Sequence, residues 1–176
     1  MDTYDRLINL LQSHKAKYQE ITHEHEGRSD LIANIRGHDP MIGAKAMVVL
    51  VKTSAPQPES KTFYLVVLPG PLKIDMKAVA SLTEKEGAEA SLAPTKHMRR
   101  LTKCQSGAVP PFSFHDELLV VVDQRLLEGD EIAFNAGRLD RSVRMSSEDF
   151  QRIARPLVSR VALDDQGAAA SEVREG

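Results

Sequence analysis

Apolar positions in this chain recur with two periods. Residues 4–13 carry Leu7, Ile8, Leu10 and Leu11 at helical spacing behind Asp2 or Thr3 as N-cap, which predicts an amphipathic helix. Residues 18–22 form a short strand candidate, apolar at Tyr18 and Ile21. Residues 28–36 read as a short helix with Leu31, Ile32 and Ile35 on one face and Gly37 past its end, followed by a His38-Asp39-Pro40 turn. Residues 43–51 and 62–68 are strands, and the run 47–51 is apolar without alternation, the pattern of a strand covered on both faces. The polar, proline-bearing stretch 53–61 joins them as a hairpin loop, and Pro69-Gly70-Pro71 closes the second.

Farther along, Asp75 can cap a helix that runs to about Leu82 with Met76, Val79, Ala80 and Leu82 inward, and 88–92 is a short strand candidate. Pro94 opens the first turn of a basic helix. Residues 118–122 are the most apolar strand, and 123–128 a helical turn. Strands at 131–134 and 139–145 flank a turn, Asn135-Ala136-Gly137, which brings Asn135 and Asp140 together. Ser146 or Ser147 caps a last helix over 147–158, with Phe150, Ile153, Ala154 and Leu157 inward and Pro156 ending or distorting it. Two hairpins, 45–51 with 62–68 and 131–134 with 139–145, predict an α/β (α+β) fold. It has one domain over 1–160, a mixed, largely antiparallel sheet flanked by helices, with 161–176 as a mobile tail.

The length of 176 residues suits one domain with a real core, and 41% apolar with 27% charged residues excludes a disordered chain. A net charge of −2 excludes coating of nucleic acid by bulk electrostatics. The single cysteine, Cys104, excludes an internal disulfide framework and a cysteine-based zinc cage, and suits a reducing cytosol. The acidic N-terminus has no apolar stretch of the signal-peptide kind, and no apolar run approaches a membrane span.

One region departs from the overall charge. From Ala90 to His115 there is no acidic residue, while Lys96, His97, Arg99, Arg100 and Lys103 cluster there. This is either a solvated basic helix face or a docking face for a phosphate-bearing substrate. It leads into Ser106-Gly107-Ala108-Val109-Pro110-Pro111-Phe112, a stiff loop. The free N–H groups of Gly107 and Ala108 could meet a ligand carbonyl or phosphate; the other reading is an ordinary tight connection. Lys45, ahead of its apolar strand, either holds its ammonium in a cleft or is a solvated strand-end lysine. His23 and His25 point the same way on a strand, but no third ligand is nearby, so no metal is expected and a polar strand end at a cleft rim or on the surface is preferred. Cys104 has no histidine clearly placed to activate it and reads as a small core residue.

In order, the N-terminal helix, Gly43-Ala44-Lys45 opening a strand, Val67-Leu68-Pro69-Gly70 leading to the Asp75 helix, the G-x-x-x-P loop Gly107 to Pro111, and Phe134-Asn135-Ala136-Gly137-Arg138-Leu139-Asp140 resemble the YbaK/prolyl-tRNA-synthetase-associated domain family. The resemblance spans residues 2–158 and implies an aminoacyl-tRNA deacylase that clears mischarged tRNA in trans in the cytoplasm. It decides both Lys45 and the loop in favour of function. Lys45, Gly107 and Ala108 become catalytic, with Lys45 supplying positive charge and the two N–H groups meeting the oxyanion or carbonyl. His23, Val109, Pro110, Pro111, Asn135 and Asp140 become substrate-binding, with Asn135 and Asp140 holding the substrate's amino group or ordering the site, and Lys96, Arg99, Arg100 and Lys103 contact tRNA. The ester is already activated, so no Ser-His-Asp set is needed, and a hydroxyl of the terminal adenosine helps activate water. No cofactor and no membrane are implied. The partners are the acceptor end of aminoacyl-tRNA and an aminoacyl-tRNA synthetase, and monomer and weak dimer both stay open. Ala46, where some members carry a polar residue, and Ala108, where a second glycine is usual, lie where selectivity is set. A small amino acid such as alanine, serine, cysteine or proline fits. The alternatives are a non-catalytic module of the same fold that binds tRNA or a synthetase, and a small-molecule esterase or ligand-binding protein.

Overall fold

The computed structural model describes residues 1–26, 33, 37 and 39–164; the helix expected over 28–36, apart from position 33, His38 and the chain from 165 onward lie outside the described residues. The elements are α1 (Thr3–Ser13), β1 (Tyr18–Thr22), a 3-10 turn (Pro40–Ile42), β2 (Ala44–Thr53), β3 (Ser60–Pro69), α2 (Met76–Ser81), β4 (Glu89–Leu92), α3 (Thr95–Thr102), β5 (Leu118–Asp123), a second 3-10 turn (Gln124–Glu128), β6 (Glu131–Arg138), β7 (Arg141–Ser146), α4 (Ser147–Ala154) and β8 (Leu157–Ser159). Three helices start where their cap residues stand: the side chains of Asp2, Asp75 and Ser146 accept from the N–H groups of Asp5, Ala78 and Asp149.

Both expected hairpins form. β2 and β3 pair antiparallel without a break from Ala44↔Pro69 to Thr53↔Ser60, and β6 pairs antiparallel with β7. The strands divide between two sheets: a mixed five-stranded sheet, β4-β2-β3-β5-β8, and an antiparallel three-stranded one, β1-β7-β6. In the larger sheet β5 runs parallel to β3, and β8 parallel to β5.

Alternation along β2 and β3 feeds two cores, which is why neither strand looks amphipathic. Val48, Leu50, Phe63, Leu65 and Val67 face the main core, filled by Leu7 and Leu11 of α1, Phe134 of β6 and Phe150 of α4. Val49, Val51, Tyr64, Val66 and Leu68 face a second core closed by Leu72, Val79 and Val161.

Three expectations are corrected. Asn135 is not in a turn: β6 continues to Arg138 through a register irregularity, and Leu139 and Asp140 make the turn. The last helix stops at Ala154, where Arg155 takes the left-handed conformation (φ 48°) before Pro156. Leu157 is therefore not inward but half-exposed on β8, because three residues past the proline find a ladder on β5. The packed domain also passes residue 160. Val161 and Ala162 are buried, and both donate their N–H groups to the fully buried carboxylate of Asp123 at 2.8 Å.

Candidate active site

The site follows from unequal strand lengths. β4 is short and pairs with β2 only between Val49 and Lys52; one more bond, Ala93 N–H to the Val48 carbonyl at 2.9 Å, ends the contact. β6 touches the head of β2 through an isolated parallel bridge between Gly43 and Ala133. Between these points a cavity of about 370 Å³ opens along the edge of β2, a size at the small end for ligand pockets. Lys45, Gly107, Val109 and Asn135 all line it, so four of the residues expected from sequence share one hollow. Ser106, which opens the Gly-Pro loop, also lines it, as do Leu92, Thr95 and Met98, which were not expected. Nothing local marks them, because they reach the cavity through the packing of α3 and β4 on β2.

Lys45 is half-buried, and its ammonium makes no hydrogen bond or ion pair among the described residues. Burial lowers the pKa of its ammonium, and the charge of Lys73 lowers it further. A cation held this way gains from any anionic or polarised oxygen that enters.

The loop after α3 turns at Gln105 to Ala108. Ala108 N–H donates to the Gln105 carbonyl at 3.1 Å, and Gly107, at φ 86°, occupies the third position, as a type II turn requires. The Ala108 N–H is thereby engaged and the residue fully buried, which corrects its expected role as an oxyanion donor. Gly107 N–H makes no hydrogen bond among the described residues and remains available. Pro110 and Pro111 are buried and do not line the cavity, so Val109 alone of that trio forms its wall.

Asn135 holds this loop. Its Nδ2 donates to the Gly107 carbonyl at 2.8 Å and to the Glu26 carbonyl at 3.0 Å, and its Oδ1 accepts from Ser142 Oγ at 3.0 Å. Ser142 Oγ also lies 2.7 Å from His23 Nε2, within hydrogen-bond reach. His23 Nδ1 lies 2.7 Å from the Glu24 carbonyl. Gly137 N–H adds a bond to the Ala108 carbonyl at 2.8 Å. Asn135 thus orders the Gly107 loop, one of the two roles expected of it, while also lining the cavity, and His23 connects to it through Ser142. Asp140 lies in the β6–β7 turn, does not line the cavity, and accepts His23 N–H through its backbone carbonyl at 3.0 Å. Ser142, fully buried on β7, was missed because a serine in a strand gives no signal of its own.

Beside the cavity, Lys96, Arg99 and Lys103 are exposed on or just after α3. Arg100 is less free: it pairs with Glu117 at 3.2 Å and lies 5.7 Å over the Phe63 ring. The His97 pKa is lowered by desolvation, then by Arg100, Lys96 and Lys61, against a smaller pull from Glu117. Lys61 on β3 therefore belongs to the same positive field. Cys104 is in the main core, where burial raises its thiol pKa away from a reactive thiolate.

Known proteins share this fold and much of this sequence. Residues 23–153 match the aminoacyl-tRNA editing domain. The chain is 41% identical over 155 residues to the multifunctional Ser/Thr-tRNA deacylase ProXp-y of Escherichia coli, covering 88% of this chain and 89% of that protein. Among solved structures, a hypothetical protein superposes with a TM-score of 0.77 at 19% identity, covering 90% of this chain and 99% of the other. A candidate trans-editing enzyme for prolyl-tRNA synthetase superposes at 0.72 and 18%, covering 93% and 99%. At those identities the superpositions speak for the fold, whereas the domain match and the sequence identity to the deacylase carry the assignment: the chain belongs to the aminoacyl-tRNA editing domain family.

Proposed function

We propose that this protein is a hydrolase that cleaves the aminoacyl ester of mischarged tRNA in trans. The observation that carries the reading is one small cavity lined by both the half-buried Lys45 and Gly107, whose ammonium and N–H have no partner among the described residues. An activated ester needs positioning and oxyanion stabilisation more than a strong nucleophile, and those two groups supply positive charge and a hydrogen-bond donor. Lys96, Arg99 and Lys103, with Lys61, receive the acceptor-stem phosphates, and Arg100 contributes less while it is paired with Glu117.

Of the small residues expected from sequence, serine is favoured, and threonine joins it. The cavity wall combines apolar Val109, Met98 and Leu92 with the hydroxyl-bearing Thr95 and Ser106, and the E. coli relative is a Ser/Thr-tRNA deacylase. A separate editing site is useful because a synthetase pocket separates side chains that differ by one methylene by only about 1–3 kcal/mol. Among the described residues no helix is long and apolar enough to cross a membrane, and we place the enzyme in the cytoplasm with charged tRNA.

The test is a panel of aminoacyl-tRNAs incubated with the protein while ester loss is followed. Seryl- and threonyl-tRNA are turned over, and Lys45→Ala lowers kcat by about 10²-fold or more, the scale of losing a main electrostatic stabiliser. Binding of the same tRNAs without ester loss would instead make the protein a non-catalytic module.

A further inference from the structure

The unpaired stretch of β2 exposes one set of main-chain groups. Along an antiparallel strand the N–H and C=O of one residue point to the same edge, and those of the next to the other. Two bonds set this alternation. The Gly43 carbonyl accepts from Gly70 N–H at 2.8 Å on the β3 side, and the Val48 carbonyl accepts from Ala93 N–H at 2.9 Å on the β4 side. The register with β3 runs unbroken between them, so positions 43, 45 and 47 face β3 and positions 44, 46 and 48 face the opposite edge. On that edge β4 reaches no farther than Val48, and β6 meets the strand at the level of Gly43. Ala46 falls between them, on the cavity wall, with no strand opposite it among the described residues.

We propose that the main-chain N–H and C=O of Ala46 recognise the aminoacyl group itself, an inference that rests on the deacylase reading above. An aminoacyl ester carries the same N–Cα–C=O sequence as a strand residue. Its α-ammonium donates to the Ala46 carbonyl and its ester carbonyl accepts from Ala46 N–H, the two-bond pairing of one antiparallel residue pair. The amino acid thereby occupies the empty ladder position between β4 and β6. When water adds, a bond forms from the water oxygen to the carbonyl carbon. The carbonyl electron pair moves onto its oxygen, and Ala46 N–H then holds an oxyanion. The carbon–oxygen bond to the ribose breaks as the tetrahedral centre collapses. The proton lost by water is returned to the ribose oxygen, giving free amino acid and deacylated tRNA. Ala46 N–H is the second donor beside Gly107, in place of the Ala108 N–H that Gln105 engages. This mode needs a free α-ammonium, so it admits aminoacyl-tRNA and rejects N-blocked esters such as peptidyl-tRNA. It also gives the alanine at position 46 a role that depends on its backbone and not on its side chain.

The experiment replaces Ala46 by lactic acid through nonsense suppression, which exchanges one peptide N–H for an ester oxygen and keeps the methyl group. Deacylation of seryl-tRNA is then measured beside unmodified protein and Lys45→Ala. We expect the ester variant to lose about 10²-fold in kcat, as for removal of one oxyanion donor. In the same assay the unmodified protein leaves N-acetylseryl-tRNA intact, an arm that does not depend on the folding of any variant. An ester variant with full kcat, or N-acetylseryl-tRNA hydrolysed as fast as seryl-tRNA, overturns the Ala46 assignment while the deacylase reading stands. Absence of turnover by the unmodified protein on every aminoacyl-tRNA removes both.

Discussion

Lys45 is half-buried with no anion beside it among the described residues, and its pKa lies below that of an ordinary lysine. The folded protein therefore binds a proton there less readily than the unfolded chain does. For a base shifted down, the destabilisation is fully present below the folded pKa and is lost as pH rises to the unfolded value of about 10.5. Lys45→Met keeps the stem and removes the charge. We predict that it is inactive yet melts about 2–4 °C higher near neutral pH, the shift that roughly 1 kcal/mol gives in a chain of this size. In thermal melts across pH, the gap between the two proteins should shrink toward pH 10; a gap that widens would mean that the ammonium stabilises the fold. The sequence placed this lysine at a strand start, but both a cleft and a solvated end fitted that position. Its unpaired state depends on which side chains arrive from elsewhere.

At the scale of elements, the irregularity in β6 joins the site to its support. Asn135-Ala136-Gly137 carries two turn-forming residues, yet the chain uses them inside a strand. Gly137 stands at φ 84°, and a Cβ there would lie 2.9 Å from the Tyr4 backbone nitrogen, so glycine is required for contact with α1 as well as for the bend. The same irregular segment carries Asn135, whose bonds to Gly107 and Ser142 extend to His23. If this chain of bonds positions Gly107, Ser142→Ala should lower kcat about fivefold to tenfold with KM little changed, the scale of one missing buried hydrogen bond. His23→Ala should do the same, and His23→Gln, whose amide can either donate to or accept from Ser142, should recover most of the rate. Equal kcat in all three variants and the parent would show that Asn135 holds the loop unaided. Cap residues made the helix starts legible, since Asp2, Asp75 and Ser146 act within one turn of themselves. The bonds linking His23 to Gly107 were not legible, because their members are joined only by the pairing of β1, β6 and β7.

For the whole molecule, a net charge of −2 coexists with a local positive field around α3. Attraction to a polyanion is then confined to one face and screened within about 10 Å at 0.1 M salt. Replacing Lys96, Arg99 and Lys103 together by alanine should weaken tRNA binding and flatten its salt dependence by roughly 0.7–0.9 log units per log unit of salt for each phosphate that is no longer neutralised. Arg100→Ala should change the slope less, because Glu117 already partners it. A triple variant with an unaltered slope would move the docking face elsewhere. The sequence by itself determined the described elements before β8, though not where β6 and α4 end, together with both hairpins, the location of the basic helix and the family, because periodicity, capping residues and ordered motifs are properties of neighbouring positions. Only the tertiary structure decided that the strands divide into two sheets, that Val161 and Ala162 complete the second core, and that β2 has an open stretch at Ala46. That opening depends on where β4 stops and β6 touches, and hydrogen-bond vacancies of this kind arise from segments distant in sequence that meet without filling every position.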